Sequence, residues 1–345
     1  MIRLLGAILA LGLWPVAGGA QDLLRVAIWT VELSREGPGI LLRDILEEDP
    51  QVLAAQRLIA EISPDLLLLN DFDTDADGHA ARLFAKAAGY PHVFTRPGNE
   101  GRASGIDMDK DGRAGEPEDA LSYGAFTGQG GMALLSRLPI QAEAVRDFSG
   151  LLWQDLPGAR IPEGYFSTED LARLPLSSHA HWDIPLLWNG RPLHLFAYAA
   201  TSPVFDGEED RNGRRNADET AFWLRYLDGA LDFAPPEASF VLLGDSNLDP
   251  ADGEGLRAQM AMLLADPRIQ DPRPRSDHAA ARATPGQNGD PGLDTADWDD
   301  PVPGNLRVDY VLPSADLQVV ASGVAWAAED GFRHGLVWVD LAAFP

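Results

Sequence analysis

Apolar positions along this chain fall into short blocks separated by polar, Gly- and Pro-rich punctuation, and the blocks follow two different periods. Leu23–Val31 (LLRVAIWTV), Asp65–Leu69 (DLLLL), Gly131–Ser136 (GMALLS), Leu193–Ala199 and Phe240–Leu243 are near-continuous apolar runs, the pattern of strands buried on both faces. Pro50–Ile62 instead sets Val52, Ala55, Leu58, Ile59 and Ile62 on one helical face, and Gly78–Ala88 and Arg214–Leu231 read as further helices. Leu306–Leu312, Leu317–Val320 and Leu336–Leu341 predict three closing strands. Pro267–Pro303 has no period and reads as a long surface loop. No repeat or linker divides the pattern, so one α/β domain is expected.

The first twenty residues stand apart from this pattern. Arg3, an apolar stretch to Val16 and small residues to Ala20 predict a signal peptide over 1–20, a domain over 21–345, and a secreted or periplasmic location. No later run is long and apolar enough to cross a bilayer, so no stable membrane insertion is expected. Cysteine is absent, which removes disulfide and thiol chemistry. With 53 acidic against 27 basic residues, the formal charge is −26, and such a surface repels the phosphate backbone and disfavours nucleic acid as a partner.

Candidate chemistry concentrates at two places. FVLLGDSNLDP ends a buried strand in a chain reversal carrying Asp245 and Asn247. A carboxylate held rigidly there suits proton removal and an amide suits holding phosphate oxygens, although the same residues are also ordinary turn formers. Separately, Asp107, Asp109, Asp111 and Glu118 fall at positions one, three, five and twelve of a loop with Gly112 at six. That is the spacing of a calcium loop, here without flanking amphipathic helices, and it predicts an isolated structural Ca²⁺ site. Asp73, Asp75 and Asp77 begin a similar pattern, but Phe84 stands where the closing Glu belongs. Trp153, Trp182, Trp188 and Trp298 lie in or near irregular segments, where tryptophan either stacks on a ligand or covers the edge of a core.

Six segments then vote together: RVAIWTVEL (25–33), LLLLNDFDTD (66–75), GQGGMALLSRLPI (128–140), LGDSNLDP (243–250), RVDYVLPS (307–314) and HGLVWVDL (334–341). Their order resembles the endonuclease/exonuclease/phosphatase family, the deoxyribonuclease-I-like fold, particularly exported bacterial members with SHWD and PVFDG…EDRNGRRN patterns. The resemblance implies a four-layered sandwich, two face-to-face and mostly antiparallel β-sheets flanked by helices, and phosphoester hydrolysis with a divalent metal, usually Mg²⁺. By the same resemblance Asp245 is the base, Asn247 binds phosphate and helps place it, Asp309 orients the His334 imidazole, and Asp71 aligns with a metal-binding Glu. The chain departs from the family where Thr30 replaces Asn, Ala199 replaces His and Arg333 replaces Asp. Two readings follow. One is an exported phosphatase or phosphodiesterase with an altered site, its missing groups drawn from His179, His181 or Asp183. The other is an inactive pseudoenzyme that binds a phosphorylated ligand through the Arg333 guanidinium. A small phosphorylated molecule is the expected partner in both.

Overall fold

The computed structural model describes residues 23–329 and 331–343, and the expected signal peptide lies outside them. In chain order the strands are β1 (Leu23–Leu33), β2 (Leu66–Phe72), β3 (His92–Phe94), β4 (Gly131–Ser136), β5 (Arg146–Asp147), β6 (His181–Trp188), β7 (Arg191–Ala199), β8 (Ser239–Asp245), β9 (Asp309–Pro313), β10 (Val319–Ala325) and β11 (Leu336–Ala342). The helices are α1 (Ile40–Leu46), α2 (Pro50–Ile62), α3 (His79–Ala87), α4 (Thr168–Leu171), α5 (Arg211–Leu227), α6 (Ala258–Leu264) and α7 (Asp277–Ala280). One sheet runs β10-β11-β1-β2-β4-β3 and the other β5-β6-β7-β8-β9. Only the β1/β2 and β7/β8 pairs are parallel, so both sheets are mixed and mostly antiparallel. The expected sandwich is present.

Why the strands read as continuous apolar runs is now visible. In β1, Val26 and Ile28 enter the layer between the sheets, whereas Ala27 and Trp29 pack outward under α2 and α3. Val241 and Leu243 of β8 face inward, and Phe240 and Leu242 pack outward beneath α5 and α6. Each strand is buried twice, which removes the polar alternation of a one-sided sheet.

α5 is amphipathic, yet most of its polar residues are buried as well. Its polar residues are structural ties. Arg215 donates to the carbonyls of Leu121, Pro175, Leu176 and Ser177 at 2.7–3.0 Å. Asn216 donates to Thr201 O and Ser246 O, both at 2.7 Å, and Glu219 accepts from the backbone N–H groups of Ser178 and Thr201. The EDRNGRRN segment therefore clamps, by backbone atoms, the loops at the ends of β6, β7 and β8.

The 267–303 segment differs from the expected surface loop. Leu293, Thr295 and Ala296 are buried, and Ala296 bridges both Leu306 and His334. Isolated bridges and side-chain caps hold this stretch, so it has order without a period. The closing strand correspondingly begins at Asp309 rather than Leu306.

Candidate active site

The ends of β1, β2, β7 and β8 and the start of β9 meet at one end of the sandwich. Within the second sheet, Ala199 pairs in register with Asp245, and Asp245 with Asp309. Gly244 permits this approach, because a Cβ there would lie 2.4 Å from the Tyr198 ring and carbonyl. Across the two sheets, the Thr30 hydroxyl donates to Asp309 Oδ1 at 2.7 Å and lies 3.4 Å from Asp245 Oδ2. With its amide set to satisfy both neighbours, Asn70 accepts from the Asp245 N–H at 3.1 Å and donates to Leu69 O.

Asp245, Asp309 and His334 form one buried cluster, with one ligand-type atom from each lying within 4.8 Å of the others. Asp309 accepts three hydrogen bonds: Oδ1 takes Thr30, and Oδ2 takes Thr295 Oγ1 at 3.0 Å and His334 Nδ1 at 2.8 Å. Fully buried and holding His334 Nδ1, Asp309 is placed to orient the imidazole. Trp29 Nε1 donates to His334 O at 2.9 Å, and Trp298 packs edge-on against the His334 ring. Asn247 sits at φ 48°, left-handed backbone that Asn tolerates, and its N–H donates to Asp245 Oδ1 at 2.9 Å. Its amide nitrogen donates to Ala200 O and Asp245 Oδ2, so Asn247 fixes the carboxylate in place.

Burial, then the charge of Asp309, pushes the Asp245 carboxyl up, against the pull of His334 and of hydrogen bonds from Asn247 and Thr30. For His334 burial acts downward, but Asp309, then Asp245 and Glu32, overcome it and push the imidazole up to about 9. The result is an imidazolium between two carboxylates.

Asp71 lies at the end of β2 with φ 49° and accepts no hydrogen bond from any described residue. Burial and the nearby Glu32 charge raise its carboxyl to about 6, with His334 and Arg333 pulling the other way. Gly130 makes the room: a Cβ there would stand 2.9 Å from Asp71 Oδ1. An unpartnered carboxylate crowded by a second acid, in a cradle that one methyl group would fill, fits a hard divalent cation. Arg333 does not point between the acids. Its Nε donates to Glu32 Oε1 at 2.6 Å and its backbone N–H to Glu32 Oε2, with the side chain 63 % exposed.

Of the proposed substitutes for the missing histidine, two are committed elsewhere. His181 Nε2 donates to Glu219 O at 3.0 Å while Nδ1 takes the Ser177 hydroxyl at 2.6 Å, and burial drives the ring down to about 3. Asp183 accepts from Tyr226 OH at 2.7 Å and pairs with His194. His179 is half-buried, beside Ser178 Oγ and the backbone of Ala199, and burial followed by Arg215 lowers it to about 4. It is a neutral imidazole beside Ala199.

The acidic loop comes together differently from its spacing. Asp107 and Asp109 converge with Asp119, whereas Asp111 and Glu118 are not in the set. Asp111 Oδ1 instead accepts from the Arg113 N–H at 2.8 Å. A 3-10 turn over Pro117–Asp119 turns Asp119 inward to 3 % exposure, and Asp107 Oδ1 is buried without a partner. The second acidic repeat is structural: Asp73 accepts from the Arg35 and Gly130 N–H groups, and Asp75 from those of His79 and Ala80 at the start of α3. Trp153, Trp182 and Trp188 are core residues, at most 3 % exposed.

Sequence reasoning missed Asn70, Thr295 and Glu32. Asn70 had a signal, since it directly precedes Asp71 at the end of an apolar run. The other two become visible only through contacts remote in sequence.

Two mixed sheets packed face to face, with an acid–imidazole cluster where their strand ends meet, define the deoxyribonuclease-I-like class of sandwich. The chain belongs to the Endonuclease/Exonuclease/phosphatase family, whose profile matches residues 34–331. Among solved structures it is similar to an endonuclease/exonuclease/phosphatase from Beutenbergia cavernae DSM 12333, with a TM-score of 0.55, 20 % identity, and 93 % of this chain and 71 % of that one covered. A 3'-5' exonuclease (NExo) from Neisseria meningitidis gives 0.51 and 17 %, covering 93 % and 100 %. Sphingomyelinase C from Streptomyces griseocarneus gives 0.50 and 18 %, covering 93 % and 99 %. No curated protein sequence matches.

Proposed function

We propose that this protein is an exported, divalent-metal-dependent hydrolase of a small phosphoester. The observation that carries the reading is the Asp245–His334–Asp309 cluster, buried and held by Thr30, Thr295, Asn70 and Asn247. A turn former alone would not require such support. Asp71 would hold a divalent ion such as Mg²⁺, which when bound neutralises charge on the phosphate. Asp245 takes the proton of the attacking water as its oxygen bonds to phosphorus, and the ester P–O bond breaks to release an alkoxide that takes its proton from solvent. The His334 imidazolium faces the negative charge that gathers on the phosphoryl oxygens, and Asp309 keeps it oriented and protonated. An exonuclease and a sphingomyelinase share this fold, so charge must guide the choice of substrate. At −26 the chain favours a small phosphorylated molecule over a nucleic acid.

Turnover of bis(p-nitrophenyl) phosphate is expected with Mg²⁺ or Mn²⁺ and should vanish with chelator. Metal-independent phosphate binding without any turnover, abolished in Arg333→Ala, would instead establish the pseudoenzyme; the engagement of Arg333 by Glu32 speaks against that outcome.

The protonation states give a bell-shaped pH profile. Asp245 must be ionised and sits at about 7, so kcat/KM rises as pH climbs through neutrality. His334 must be protonated and sits at about 9, so the rate falls above that pH. A flat profile between pH 5 and 10 contradicts these roles.

The Asp107–Asp109–Asp119 loop is proposed as a structural Ca²⁺ site. By calorimetry, Asp109→Ala and Asp119→Asn should each weaken Ca²⁺ binding by about tenfold or more, whereas Glu118→Gln should leave it unchanged. An effect of Glu118→Gln alone would restore the twelve-residue spacing.

A further inference from the structure

β1 does not run straight into its exit loop. Its ladder to β2 slips between Thr30 and Leu33, and Glu32 adopts left-handed backbone at φ 51°. That conformation is uncommon for a side chain with no local hydrogen-bonding use for it, and it occurs here beside the reactive cluster. The bulge turns Glu32 onto the 331–334 segment, where its two oxygens take the Nε and the backbone N–H of Arg333. The Glu32 side chain is only 11 % exposed. Gln51 Nε2 reinforces the arrangement by donating to Glu32 O and Gly331 O, both at 3.0 Å. Glu32 and Arg333 both act electrostatically on Asp71, with opposite sign.

We infer that Glu32 is the compensating acid of the cation corner: it cancels the Arg333 charge and so keeps Asp71 able to bind a divalent metal. The inference rests on the hydrolase reading above and adds a residue to it. Asp71 would be the ligand, and Glu32 acts through Arg333. With the opposed charges of His334 and Asp73 cancelling, Asp71 beside an unpaired guanidinium gives a corner of zero net charge, a poor site for a divalent ion. Adding Glu32 restores one negative charge. Removing Arg333 while keeping Glu32 would leave two.

Mn²⁺ binding to the full chain, followed by electron paramagnetic resonance, tests this, with Asp71→Asn marking which bound ion belongs to the corner. Arg333→Ala is expected to bind about tenfold tighter than wild type and Glu32→Gln about tenfold weaker, with the double variant within about threefold of wild type. A purely structural pair predicts a different order, in which both single variants and the double variant all weaken binding. That order overturns the inference. So does unchanged affinity in Glu32→Gln while Asp71→Asn abolishes binding, and in that case the hydrolase reading stands. Equal binding by wild type and Asp71→Asn overturns the metal site itself, and with it both readings. Should Glu32→Gln fail to fold, Arg333→Ala reads the same charge from the other side, and failure to tighten binding refutes the inference.

Discussion

Asp245→Asn is expected to lower kcat/KM for phosphodiester hydrolysis by about a thousandfold or more, without lowering the melting temperature. The two halves of this expectation come from the same geometry. Asn keeps the shape that Asn247 and Thr30 grip but cannot accept the water proton. It also removes a buried negative charge whose desolvation, and then repulsion by Asp309, outweighs the pull of His334 and of its hydrogen bonds. Activity and stability should therefore separate. Retention of more than about a tenth of the wild-type rate would take the role of base away from Asp245.

Asp309→Ala should do the opposite and damage both. Thr30 Oγ1, Thr295 Oγ1 and His334 Nδ1 would each lose a buried acceptor. Unpaired buried donors cost roughly 1–3 kcal/mol apiece, and because the three share one site a total of about 3–5 kcal/mol is expected in urea denaturation. His334 also loses the interaction that most raises it. In the wild type that raised imidazole contributes stability that is fully present below about 6.5 and lost as pH climbs toward about 9. In the variant this pH-dependent loss should be largely absent, and any residual activity should decline at a lower pH. An unchanged alkaline limb would show that Asp309 does not hold the imidazole protonated.

Much of this frame was readable because burial on both faces writes itself into the sequence as uninterrupted apolar runs. Pro50–Ile62 and Gly131–Ser136 match their elements to the residue. Asp245, Asp309 and His334 could be named from ordered motifs because each sits beside a strand end that composition marks. What was not legible depends on chain folding back on itself. Thr295 lies in a segment without a period and meets Asp309 only through the sandwich. Glu32 is one acid among many until a bulge turns it toward Arg333. Calcium-loop spacing pointed to Glu118, but a single 3-10 turn hands the inward position to Asp119. The helix α5 was legible over most of its length, but the burial of its polar residues was not, since its arginine and glutamate bind carbonyls and amides rather than solvent.

That last feature bears on how such a chain evolves. Arg215, Asn216 and Glu219 grip the site loops by main-chain atoms, which every residue type but proline provides in full. Side chains on those loops can therefore drift without loosening the scaffold beneath them. A change of side chain at position 199 would leave the backbone where it is, and the neighbouring imidazole of His179 would stay in place beside it. The architecture is insulated from its own chemistry, so selection is free to retune the reaction while the fold remains unchanged.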